Sequence, residues 1–268
     1  MLGKLIKNEF INRGKQAASI FIALLCLSCV VAVMSAINEY VYIQNEFFKF
    51  SYALLIVVFA ASLWAVVVAL LLGSVQDFGK RFFKDQGYLT HTLPVKTSAL
   101  MLARMVYDLV LIVAIAIVIP LAMCIAARNF SLFSELGNGI KEILTTRYSD
   151  VFEASVVILD VILMCVTFLM LALSSLWMFN VSYAIGHAFN NAKRLMSVVV
   201  FCLMTILNWI ITYIVGYIML ETDAFYVPKH NEVTIMMNLI VVIAVASASV
   251  ALYAVITGYV IKNKLNLE

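Results

Sequence analysis

The side chains able to do chemistry are few in this chain and lie far apart. His91, His187 and His230 fall in three separate polar stretches. No H-E-x-x-H occurs, so no helix turn sets two zinc ligands beside a general base. No G-x-S-x-G occurs, and no apolar run offers a Ser–His or paired-Asp dyad, so hydrolytic chemistry has no residue set. Cys26 and Cys29 form a C-x-x-C, a spacing that serves redox chemistry or metal binding. They lie inside an apolar run, as do Cys124, Cys165 and Cys202. There the pair reads as two small apolar residues on one helix face. The stretch "GSVQDFGKR" (Gly73 to Arg81) approaches a phosphate-binding loop but spaces its glycines by five residues instead of four. Arg81 then follows the Lys, where Ser or Thr is needed. No nucleotide, cofactor or metal site is assigned to this chain, and it is not read as an enzyme.

What chemistry remains is polar groups in apolar surroundings. Asp108 and Asp160 sit in apolar runs, where an ionised carboxylate at a helix centre costs about 2.5–3.5 kcal/mol on the insertion scale. Asp108 follows Arg104 by four residues, so the two can pair on one helical face. The alternative is that it lines a translocation path. Asp160 either faces a water-filled path or hydrates from the outer surface. Asn208, with Trp209 beside it, lies near the middle of an apolar run, and its amide needs a partner on another helix or in a cavity. Asn180, Asn190 and Asn191 are expected at the wet inner end of a span.

The elements that must hold these groups are helices in lipid. Of the 268 residues, 65% are hydrophobic and 12% charged, too little polar surface to solvate a soluble domain of this length. Runs such as "LLIVVFA" and "VAIAIVI" do not alternate in-out, which excludes a membrane β-barrel. About twenty residues at ~1.5 Å rise cross a ~30 Å hydrocarbon core. Six runs qualify: 17–37, 51–75, 98–127, 154–185, 195–220 and 233–261. The third and fourth exceed the minimum and are expected to tilt or project. Pro120 is expected to kink the third.

Lys and Arg placement sets the orientation. Of the 18, thirteen fall on the side that carries both termini and the segment around residues 79–96, and five fall on the other. Both termini are therefore expected to be cytoplasmic. Most acids, among them Glu39, Glu135, Asp150 and Glu232, fall in the opposite loops. The small positive net charge is a topology signal and not a nucleic-acid footprint, which needs one clustered basic face. The first apolar run starts late and lacks a small-residue cleavage site, so it reads as an uncleaved span. The fold class expected is an all-α integral membrane protein of six spans, one permease domain over 1–268, in the cell membrane.

Ahead of the first span, "MLGKLIKNEFINRGKQ" sets Leu2, Leu5, Ile6 and Phe10 on one helical face, the pattern of an amphipathic interfacial helix. A basic topology anchor accounts for the same residues. The longest outer loop, "RNFSLFSELGNGIKEILTTRYSDVFE", spaces Phe133, Leu136, Ile140, Ile143 and Leu144 for a further amphipathic helix, weakened by Gly137 and Gly139.

The most specific polar stretch is "GKRFFKDQGYLTHTLPVK", Gly79 to Lys96, set between two apolar spans. Phe82 and Phe83 read as exposed aromatics beside cations. Gly87 can end or turn a helix, and Pro94 forces Leu93 toward an extended conformation. Thr97 or Ser98 can cap the next helix. A plain linker needs only a few polar residues, so a structured segment of this length reads as a docking element for a cytoplasmic partner. Anchoring of Phe82, Phe83 and Tyr88 among lipid headgroups is the alternative.

The run "RFFKDQGYLTHTLPVKTSALMLAR" resembles the first cytoplasmic loop of six-span, type-2 permease subunits of ATP-binding-cassette exporters. There an acidic residue, Gly-Tyr, Leu-Thr and Leu-Pro precede the third span. The opening "KNEFINRGKQ" and the closing "GYVIKNKLNLE" are similar to the termini of such subunits, and the chain departs from larger relatives in its small outer loops. The resemblance implies a coupling helix between spans two and three, seated in a groove of a separate ATPase chain that carries ATP and Mg. Phe82, Phe83, Tyr88 and Leu89 would be its anchors and Lys84 and Asp85 its rim, with Gly87, Leu93 and Pro94 shaping the turn. A second permease chain, identical or paralogous, would complete the path. Cargo in the resembling families includes antimicrobial peptides and toxic amphiphiles, and the apolar spans suit such cargo. Two other classes stay open: an ion-coupled secondary transporter using Asp108 and Asp160, and a non-transporting scaffold or sensor subunit.

Overall fold

The computed structural model describes residues 2–40, 46–83, 97–128, 138, 151–189, 192–221 and 231–263. Six long helices account for nearly all of them: α1 (Leu2–Tyr40), α2 (Glu46–Phe83), α3 (Thr97–Ala127), α4 (Val151–His187), α5 (Lys193–Glu221) and α6 (Asn231–Asn263). Each contains a window long and apolar enough to cross a membrane. The chain is a multi-span helical membrane protein.

The helices overrun the apolar runs that announce them. α1 has 39 residues, roughly 58 Å at the standard rise, about twice the hydrocarbon thickness. The amphipathic opening with Leu2, Leu5, Ile6 and Phe10 is helical, but it is the first turns of α1 and not a separate interfacial element. Gly14 is the only weak helix former at the join. One glycine costs about 1 kcal/mol, too little to end a long helix whose flanking Arg13 and Ala17 are buried. α2 likewise runs past Val75 through Lys80 and Arg81 to Phe83, so the near-miss phosphate loop at Gly73–Arg81 is continuous helix. Pro120 lies inside α3 without ending it.

By contacts the chain divides into two compact units, residues 1–73 with 103–142, and residues 74–102 with 143–268. In the first, Phe10, Ala17, Leu24 and Val31 recur every seven residues along α1. Leu24 and Val31 pack with Phe59 of α2 and Ala122 and Ala126 of α3. Ala17 packs with Leu70, Tyr107 and Leu111. A seven-residue repeat is the seam of left-handed helix packing at shallow angles. The far ends of α1 and α3 are joined by an ion pair, Arg128 Nη1 to Glu39 Oε2 at 2.7 Å.

In the second unit α4 packs against both α5 and α6. Ser174 and Ser249 share a hydroxyl hydrogen bond of 2.7 Å between α4 and α6. Ala246, Val250, Tyr253, Thr257 and Val260 form the buried stripe of α6. α4 and α5 form an antiparallel hairpin that closes at Gly186, where a Cβ would strike the backbone of Ser197. Phe179 stacks on Phe201 at 4.4 Å and 13°.

Candidate functional site

The first unit buries four charges in one chain of ion pairs. Asp108 is fully buried, Arg104 1% exposed, Glu9 3% and Arg13 7%. Arg104 Nε lies 3.6 Å from Asp108 Oδ2, and Arg13 Nη1 lies 3.8 Å from Asp108 Oδ1. Arg13 Nε is also 3.8 Å from Glu9 Oε2. The order is Glu9–Arg13–Asp108–Arg104, two acids and two bases with no net charge. Helical spacing builds it: each helix supplies an i,i+4 acid–base pair, and the two pairs meet where Arg13 reaches Asp108. The Arg13 guanidinium also lies over the Tyr107 ring, 5.1 Å from its centroid, and Phe10 meets the same ring edge-on at 5.3 Å. The pairing expected between Arg104 and Asp108 is present. Glu9, Arg13 and Tyr107 were not foreseen, although the spacing Glu9-x-x-x-Arg13 was there to be matched with Arg104-x-x-x-Asp108.

This network can brace α1 against α3. Asp108 has both carboxylate oxygens turned to arginines, one on its own helix and one on α1. Among the described residues no group of three or more His, Cys, Asp or Glu could hold a metal.

The second unit holds the end of α2. Phe82 and Phe83, read from the sequence as exposed, are 2% and 7% exposed. The reason is the length of α2: its last turns pack on α4 before the polar segment begins. Phe78 meets Phe82 at 5.0 Å and Phe83 at 5.9 Å. Phe83 contacts Tyr183 at 5.9 Å and His187 at 5.2 Å. The His187 ring stacks on Tyr183 at 4.1 Å, and its Nδ1 lies 3.0 Å from the Tyr183 carbonyl oxygen. A Cβ at position 79 would collide with the Tyr183 ring, so Gly79 is what lets α2 and α4 close here. Lys84, Asp85, Gly87, Tyr88, Leu89, Leu93 and Pro94 lie outside the described residues, as do His91, His230, Asn190 and Asn191 and the proposed helix of the outer loop.

The remaining candidates lie on α4 and α5. Asp160 is half-buried on α4. Asn208 is half-buried on α5, and no described side chain bonds its carboxamide, while Trp209 beside it is 78% exposed. Asn180, expected in water, is fully buried because α4 continues two turns beyond it. Neither atom of its carboxamide, nor Trp177 Nε1 one turn earlier, has a hydrogen-bond partner among the described residues.

The class these observations define is a multi-pass helical membrane protein with a buried ion brace and an aromatic clamp. No protein family, curated protein or solved structure matches this chain.

Proposed function

We propose that this chain is the membrane permease subunit of an ATP-binding-cassette exporter, lying in the cell membrane with both termini cytoplasmic. It is driven by a separate ATPase and works with a second permease chain to move a hydrophobic or amphipathic compound such as an antimicrobial peptide. The observation that carries this reading is the segment from Lys84 to Lys96, with its Gly-Tyr and Leu-Pro, set between two helices that are each anchored.

The anchoring revises which residues would meet the ATPase. Phe83 clamps the end of α2 onto Tyr183 and His187 and Phe82 is buried against Phe78, so in this reading the two are the root of the coupling segment and not its docking surface. Tyr88 and Leu89 are then the anchors offered to the ATPase, with Lys84 and Asp85 as rim. Displacement of the segment would act on the end of α2 and the start of α3. α3 is continuous from Thr97, so the motion reaches Arg104 and Asp108 and, through Arg13, α1. Helices are stiff over these lengths, whereas a loop would absorb the displacement. The double arginine pairing of Asp108 disfavours an ion-coupled mechanism through that residue.

The test is reconstitution of the chain with candidate ATPases, reading co-purification and peptide-stimulated ATP hydrolysis. Gly87→Pro and Tyr88→Asp are expected to abolish stimulation while leaving membrane insertion intact. Uptake driven by a proton gradient with no ATPase present would overturn the proposal in favour of a secondary transporter.

A further inference from the structure

A groove opens in the second unit where the α4–α5 hairpin meets the end of α2. Val75 of α2, Phe179 and Tyr183 of α4, and Val198 and Phe201 of α5 line a cavity of about 170 Å³. Two hydroxyls also border it, and the proton of each is already donated within its own helix. Ser182 Oγ donates to the Met178 carbonyl at 2.7 Å, and Ser197 Oγ donates to the Lys193 carbonyl at 3.0 Å. The rest of the wall is apolar or aromatic. The wall is also set in advance. The Phe179–Phe201 stack fixes one side, and the close approaches at Gly79 and Gly186 fix the spacing of the helices.

One end of this slot is cationic. Arg194 precedes Val198 by one helical turn, is exposed, and lies in electrostatic reach of Tyr183. It makes no ion pair with a described residue. Lys193 adjoins it. Both cations sit at the start of α5, where the helix dipole adds further positive charge. The groove thus joins an apolar slot to a positive rim.

The size and surroundings narrow the guest. Pockets for drug-sized ligands run to about 300–1,000 Å³, so this one suits a single narrow chain. In a bilayer an apolar guest gains no hydrophobic transfer by leaving the lipid, whose tails are as apolar as the slot. Selection must come from the charged end. We propose that the groove binds an anionic membrane phospholipid, with one acyl chain against Phe179, Val198 and Phe201 and the headgroup phosphate paired with Arg194. This inference needs only a membrane-embedded chain and does not depend on an ATPase partner.

Native mass spectrometry of the full chain in nonionic detergent tests it, with phosphatidylglycerol and phosphatidylcholine of matched acyl chains as probes. A juxtamembrane cation favours anionic lipid by about fivefold, so phosphatidylglycerol should bind at least that much more tightly. Arg194→Gln should bring it down to the level of phosphatidylcholine. Val198→Trp, which fills the slot from an exposed position, should weaken both lipids, and Lys262→Gln should change neither. Equal binding of the two lipids overturns the proposal, as does a preference that survives Arg194→Gln or binding that survives Val198→Trp. One-for-one displacement of bound phosphatidylglycerol by an amphipathic cationic peptide would assign the groove to cargo and overturn it too. Failure of ATP-driven transport would leave it standing.

Discussion

The two units bury different kinds of polar group. In the first, four ionised side chains are withdrawn from solvent and each is paired, with Asp108 held by Arg104 and Arg13 at once. In the second, the fully buried Asn180 amide and Trp177 indole have no hydrogen-bond partner among the described residues, while the equally buried Thr257 hydroxyl donates to the Tyr253 carbonyl at 2.6 Å. The contrast follows from magnitudes. An unpaired buried ion costs several kcal/mol, while an unpaired neutral amide costs roughly 1–3 kcal/mol. A fold can carry the second, but it must answer the first with a partner. The charged network ties α1 to α3 through Arg13 and Asp108. The second unit is fixed by shape: aromatic rings against Gly79, and backbone against backbone at Gly186.

The sharpest way to break this contrast is to remove one member of the charged chain. Asp108→Leu leaves Arg104 and Arg13 buried beside an apolar side chain. A loss of about 3–5 kcal/mol is expected, read as a large drop in the thermal midpoint of the detergent-purified protein. If the midpoint hardly moves, the four charges are not a stabilising unit. A shape-determined unit should instead be sensitive to a methyl group. Gly186→Val thrusts a branched side chain at the Ser197 backbone, and overpacking of this kind costs about 1–3 kcal/mol. The same thermal measurement checks it, and an unchanged midpoint would show that the α4–α5 hairpin yields. The smallest effect is expected at Asn180. Asn180→Leu removes a buried amide that bonds no described residue, so its cost should stay below about 1 kcal/mol. A loss as large as that of Asp108→Leu would mean that the amide is held as firmly as the aspartate, and the contrast between the units would fail.

Much of the architecture could be read from the sequence. The number of spans, their order and the helical class follow from six apolar runs separated by polar stretches, and each run lies inside one of the six helices. The Arg104–Asp108 pair was legible because helical periodicity alone brings residues four apart to one face. Its partners Glu9 and Arg13 were not, because they belong to another helix about a hundred residues away in the chain, and no local rule joins the two pairs. Phe82 and Phe83 were misread for a related reason. A helix in lipid ends where its backbone meets a breaker and not where hydropathy falls, and nothing between Val75 and Phe83 breaks α2. Hydropathy locates the membrane and leaves the ends of the helices to packing.

What the sequence determined by itself is the solvent of this protein and the way its chain is cut into helices, since apolar content and run length decide those before any tertiary contact forms. Which face of each helix turns inward was left to the tertiary structure. In a soluble protein the buried stripe stands out because the opposite face is polar; here both faces are apolar, since lipid is as oily as a core. The seven-residue seam of α1, the four-charge brace and the aromatic clamp at the end of α2 emerge only when the helices meet.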